Sequence, residues 1–119
     1  MLLELARQYA DIIQAIEVER FRSVGASYEF RALITLHDGS QLFVKDYLFV
    51  DGTRKYAYHW QDSAGQLISR WDNAPHWKGV KTFPHHRHVE QGSQVESSPV
   101  RTLEDVLKFI HESSQANRG

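Results

Sequence analysis

Cysteine is absent from the 119 residues, which excludes disulfides, thiolate zinc sites and cysteine nucleophiles. No apolar run approaches the length needed to cross a bilayer. The opening Met1-Leu2-Leu3-Glu4 has no basic region, and Glu4 and Arg7 interrupt its apolar residues, so no signal peptide is expected. These absences predict a soluble, cytoplasmic protein without a membrane partner. The net charge is −1, which argues against a globally basic nucleic-acid binder but not against a local patch. No GxSxG, phosphate-cradling glycine loop or dinucleotide fingerprint occurs, which sets aside those hydrolases and nucleotide-driven enzymes. There is no internal repeat and no low-complexity tract. The length and the ordinary globular composition, 41% hydrophobic and 24% charged, fit one domain over 1–119.

Hydrophobic period divides that domain into helix and sheet. Leu2, Leu5, Ala6, Tyr9, Ile12, Ile13 and Ile16 follow the spacing of one helical face, which predicts a helix over 2–18. Tyr28, Phe30, Ala32, Ile34 and Leu36 then alternate as a half-buried strand does. Further strands are expected over 41–50, 55–61 and 66–72, separated by Asp38-Gly39, Asp51-Gly52 and Asp62-Ser63-Ala64-Gly65 turns. The apolar residues change face near Asp46-Tyr47, which suggests a bulge or strong twist there. If Gln61 and Gln66 face each other across the last turn, Trp60 lies opposite Leu67, His59 opposite Ile68, Ala57 opposite Arg70 and Lys55 opposite Asp72. Tyr56, Tyr58, Trp60, Leu67 and Trp71 then share a core face, with Lys55, His59, Arg70 and Asp72 on the other. Pro75 and Pro84 break regular structure, and 90–99 reads as a polar, mobile loop. Thr102 with Asp105 resembles a capping box, and Leu103, Val106, Leu107 and Ile110 carry a last helix with a frayed tail over 113–119. The expected fold is therefore α+β: an N-terminal helix, a four-stranded antiparallel meander, a histidine-rich loop and a C-terminal helix packed on the sheet.

Chemistry concentrates between Arg70 and Val89. This stretch holds four of the seven histidines, and four basic side chains against the single acid Asp72. Histidine exchanges protons near neutral pH, and arginine and lysine offer positive charge to phosphate. Cleavage of a ribose phosphodiester needs a base for the 2′-OH, an acid for the leaving 5′-oxygen and a cation for the phosphate. His76, His85, His86, His88, Arg70 and Asp72 are the candidate catalytic residues. Lys55, His59, Trp71, Asn73, Trp77, Lys78 and Arg87 are candidates for holding substrate, the tryptophans as planar surfaces for unstacked bases. His85-His86-x-His88 also has the residue types of a metal site. Neighbouring histidines on an extended chain point to opposite faces, however, and no HxxxH spacing occurs, so no metal ligand and no cofactor is assigned.

The run Leu67-Ile68-Ser69-Arg70-Trp71-Asp72-Asn73-Ala74-Pro75-His76, followed by Pro84-His85-His86-Arg87-His88, resembles the TumE family of toxin components of toxin–antitoxin pairs. Trp77 stands where that resemblance leads one to expect a second histidine, which leaves His76 alone in that role. The resemblance implies a growth-inhibiting protein restrained by a cognate antitoxin, commonly one with a helix-turn-helix DNA-binding domain. Together with the residue types, it favours a metal-independent ribonuclease with RNA as its second partner. A non-catalytic binding module and a metal-dependent hydrolase are the alternatives.

Overall fold

In the computed structural model, residues 2–116 are described. Helix α1 spans Leu2–Gln8, and it is followed by strands β1 (Ile13–Val24), β2 (Ser27–Leu36), β3 (Gln41–Leu48), β4 (Arg54–Gln61), β5 (Leu67–Asp72), β6 (His86–Val89) and β7 (Gln94–Ser97), then helix α2 (Leu103–Ala116). The strands form one seven-stranded sheet in chain order, and every neighbouring pair is antiparallel. The architecture is α+β, as the hydrophobic periods predict, but the meander has seven strands where four were expected.

The three additional strands have separate causes. The helix expected over 2–18 ends at Gln8, where Tyr9 turns the chain: its carbonyl accepts from Ile12 and Ile13 N–H at 3.0 and 2.9 Å. Ile12, Ile13, Ile16 and Val18 suit helical spacing and a β-branched strand equally, and pairing with β2 decides between them. Ile16 lies opposite Ile34, and Val18 opposite Ala32. β6 and β7 carry few apolar residues, so alternation could not reveal them; they take the end of the expected histidine loop and part of the expected mobile 90–99 segment, while 73–85 is neither helix nor strand. The expected bulge at Asp46-Tyr47 is also absent, since β3 pairs in unbroken register on both sides. Asp46 keeps its inward direction because Arg54 Nη2 donates to its Oδ2 at 2.8 Å, and the Tyr58 hydroxyl donates to the same oxygen at 3.1 Å.

The core lies between one sheet face and the helices. Ile34, Leu36, Leu42, Val44, Tyr56, Tyr58, Trp60 and Trp71 meet Leu5 of α1 and Val106, Leu107 and Ile110 of α2. The Thr102–Asp105 capping box forms: Asp105 N–H donates to Thr102 Oγ1, and Thr102 N–H to Asp105 Oδ2, both at 3.2 Å. The expected frayed tail is helical through Ala116, and the rest of it lies outside the described residues. No helix among the described residues is long and apolar enough to cross a membrane.

The β4–β5 register differs from expectation by two residues. Asp62 N–H donates to the Gln66 carbonyl at 2.9 Å, so Gln61 faces Leu67, and a bulge between Trp60 and Gln61 adds one further residue. Ala57 therefore lies opposite Asp72 and His59 opposite Arg70, whereas Lys55 pairs with Tyr47 across to β3. An even shift leaves side-chain faces unchanged. Arg70, Asp72 and His59 thus remain on the face away from the helices.

Burial in the core also affects the tyrosines. Tyr56, with 1% of its surface exposed, has its hydroxyl pushed up by desolvation from 10.0 to about 12, against the lowering charges of Arg101 and Arg54. Burial raises Tyr58 further. A raised phenol pKa favours the protonated form in the folded chain, so its contribution is complete below pH 10.0 and is lost as pH rises through about 12. The melting temperature is expected to fall steadily across that interval, and Tyr56→Phe to flatten the decline.

Candidate functional site

Successive residues of a strand point to opposite faces, and this alternation sorts the histidine-rich segment. On the outer face, away from the helices, two cross-strand rows run side by side. One passes through Arg31, Lys45, Ala57, Asp72 and His86, and the other through Phe43, His59, Arg70 and His88. The rows place a buried carboxylate and two imidazoles together at the β5–β6 end.

Asp72 is the hub of this cluster. Only 6% of its surface is exposed, and Ala74 N–H donates to its Oδ1 at 3.0 Å. His86 Nε2 lies 2.8 Å from the same oxygen. His88 Nε2 lies 3.4 Å from Oδ2, and Arg70 Nε donates to Oδ2 at 3.2 Å. The two imidazole Nε2 atoms are 3.1 Å apart. His86 Nδ1 sits 3.0 Å from the Pro84 carbonyl, which can only accept, so Nδ1 carries a proton and Nε2 is the atom turned toward Asp72. His88 is held on the neutral side: burial lowers its pKa, with His86 and Arg70 acting in the same direction and Asp72 opposing. Trp77, 44% exposed, lies beside the pair, its ring 6.3 Å from His86 and 6.1 Å from His88.

Beyond Arg70 the outer face forms a shallow cavity of about 330 Å³ lined by Glu19, Arg31, Phe43, Lys45, Ala57, His59, Gln61 and Arg70. His59 Nε2 lies 3.1 Å from Gln61 Oε1. Burial lowers its pKa, and Arg70 lowers it further while Gln61 opposes. Arg31, Lys45 and Phe43 were not among the sequence candidates. The signal was available in alternation, because they share the outward parity of β2 and β3 with His59 on β4.

Of the sequence candidates, Arg70, Asp72, His86 and His88 come together, with Trp77 beside them and His59 next along the face. The others do not join them. His85 points to the helix face, where its Nδ1 lies 2.7 Å from the Tyr56 hydroxyl. Burial lowers its pKa, reinforced by Arg101, Arg54 and His86. Trp71 is 1% exposed and packs edge-on against Phe109 at 5.4 Å, so it is core and no base platform. Arg87 also faces inward, donating from Nε to Ser69 Oγ at 2.6 Å and lying 4.5 Å from the Phe109 ring. Asn73 extends the β4–β5 ladder: its Oδ1 accepts from Tyr56 N–H at 3.0 Å and its Nδ2 donates to the Arg54 carbonyl at 2.7 Å. Lys55, His76 and Lys78 are exposed, and no hydrogen bond or ion pair among the described residues ties their side chains to the cluster.

Residues 2–114 match the family model described as toxin TumE, and the chain belongs to that family. No curated protein and no solved structure matches it.

Proposed function

We propose that this TumE-family toxin cleaves RNA on the outer face of its sheet, with the Arg70–Asp72–His86–His88 cluster at the scissile phosphate. The observation that carries this reading is the convergence of a buried carboxylate, two imidazoles and a guanidinium at one end of a face bearing Arg31 and Lys45. Arg31 and Lys45 supply charge along a polyanionic backbone without base reading. Arg70 is 39% exposed at its side chain and can meet the phosphate while still bonded to Asp72. Trp77 presents a ring on which an unstacked base can lie.

In the reaction, the 2′-oxygen attacks phosphorus and the bond to the 5′-oxygen breaks. Without a bound metal, the 2′-OH proton passes to the Asp72–His86–His88 centre, the same centre returns a proton to the leaving 5′-oxygen, and Arg70 offsets charge on the phosphate oxygens. The products are a 2′,3′-cyclic phosphate and a 5′-hydroxyl. Membership of a toxin family supports a cognate antitoxin that suppresses this activity, and a helix-turn-helix protein is the expected type.

Purified protein incubated with RNA and with DNA of matching sequence, with and without added Zn²⁺ or Mn²⁺, tests this directly. Cut RNA with cyclic-phosphate ends beside intact DNA is the expected result. RNA left intact across single-stranded and structured substrates overturns the reading.

A further inference from the structure

We infer that Asp72, His86 and His88 form a binding site for one divalent transition-metal ion. Such an ion would fill this centre whether or not RNA is the substrate.

The donor atoms are already arranged as ligands. His86 Nε2 is 2.8 Å from Asp72 Oδ1, His88 Nε2 is 3.4 Å from Asp72 Oδ2, and the two Nε2 atoms are 3.1 Å apart. Metal bonds of about 2.0–2.1 Å separate neighbouring donors by about 2.8–3.0 Å at octahedral angles and about 3.3–3.4 Å at tetrahedral ones. The three spacings, the two to Asp72 ending on its two different oxygens, therefore match those between neighbouring donors of a coordination shell.

Its donor directions suit a cation even with Arg70 bonded to Asp72 Oδ2. Because the Pro84 carbonyl fixes the proton of His86 on Nδ1, a neutral His86 turns a lone pair toward a carboxylate and a second imidazole. A divalent ion satisfies all three donors. The side chains of Asp72 and His86 are 8% and 1% exposed, too dry for water to screen their clustered lone pairs. The Nδ1–H to carbonyl bond is the outer support that metal-ligating histidines ordinarily have, fixing tautomer and ring direction.

Two imidazoles and one carboxylate select zinc, cobalt, nickel or iron over magnesium, which prefers oxygen donors. Three protein ligands leave positions open for water or a phosphate oxygen. An ion bound there would take up the lone pairs that otherwise accept the 2′-OH proton, and water acidified by the ion would serve as base in their place, with Arg70 beside it to receive the same phosphate.

The test uses untagged, full-length protein stripped with a chelator and titrated with Co²⁺ and Zn²⁺, read by calorimetry and by visible Co²⁺ absorption, with no RNA present. One ion per chain is expected, and His88→Gln and Asp72→Asn should each weaken binding by at least about 10-fold. His85→Ala, on the opposite face, should leave it unchanged. His88→Gln is the deciding variant because its position is only half-buried, and circular dichroism establishes that it is folded. No stoichiometric binding, or binding that survives in folded His88→Gln, overturns the site. Because RNA plays no part in the readout, a protein that binds metal without cutting RNA would refute the ribonuclease reading and leave this one standing.

Discussion

Arg70→Ala is expected to slow RNA cleavage by about 10²- to 10³-fold with little change in melting temperature. The Arg70 side chain is 39% exposed, and its ion pair to Asp72 at 3.2 Å lies at the edge of an open face. Its removal withdraws positive charge from the phosphate without opening a cavity. Arg70→Lys should recover only part of the rate, since an ammonium cannot hold Asp72 and a phosphate oxygen with one planar fork. Rates measured at saturating RNA beside thermal melts check this. An alanine variant that melts early, or one that cleaves normally, would remove Arg70 from the chemistry.

The next residue along the chain should behave in the opposite way. Trp71 points inward, is 1% exposed and packs against Phe109, with the Arg87 guanidinium 5.5 Å from its ring. Trp71→Ala is expected to cost about 3–5 kcal/mol through lost burial and the cavity left behind, which is a large share of the about 5–15 kcal/mol that holds a domain folded. It also strips cover from Arg87, whose pKa burial already lowers. Denaturant unfolding gives the magnitude directly, and a loss below about 1 kcal/mol would mean that the site collapses around the gap.

These contrasting outcomes at neighbouring positions show what alternation made legible. The parity of β4 and β5 was readable, so Arg70, Asp72 and His59 fell on one face and Trp71 on the other despite a register error of two residues. Parity does not reveal which strands exist, and β6 was hidden for a physical reason. Arg87 faces inward and finds Ser69 and Phe109 there, as His85 just before the strand finds Tyr56, so Val89 is the one apolar residue β6 offers. β1 was obscured by the opposite problem, since isoleucines at helical spacing can serve a strand once β2 offers an edge.

The cluster itself depends on cross-strand neighbours. Asp72 meets His86 because β5 and β6 pair in a register that places them directly opposite, fourteen positions apart in the chain. No local motif encodes that distance, and the missing HxxxH spacing therefore carried no information about these residues. The thirteen candidate residues include both the cluster and its opposite-face neighbours, which only the sheet separates.

The most direct measurement is RNA cleavage, with end-group analysis, by the wild-type chain beside His88→Ala and His85→Ala, each verified as folded. Cleavage by the wild type to 2′,3′-cyclic phosphate ends, a loss of at least about 10²-fold in His88→Ala, and a near wild-type rate in His85→Ala are predicted. Full activity in His88→Ala with loss in His85→Ala would contradict an outer-face centre built on Asp72, His86 and His88.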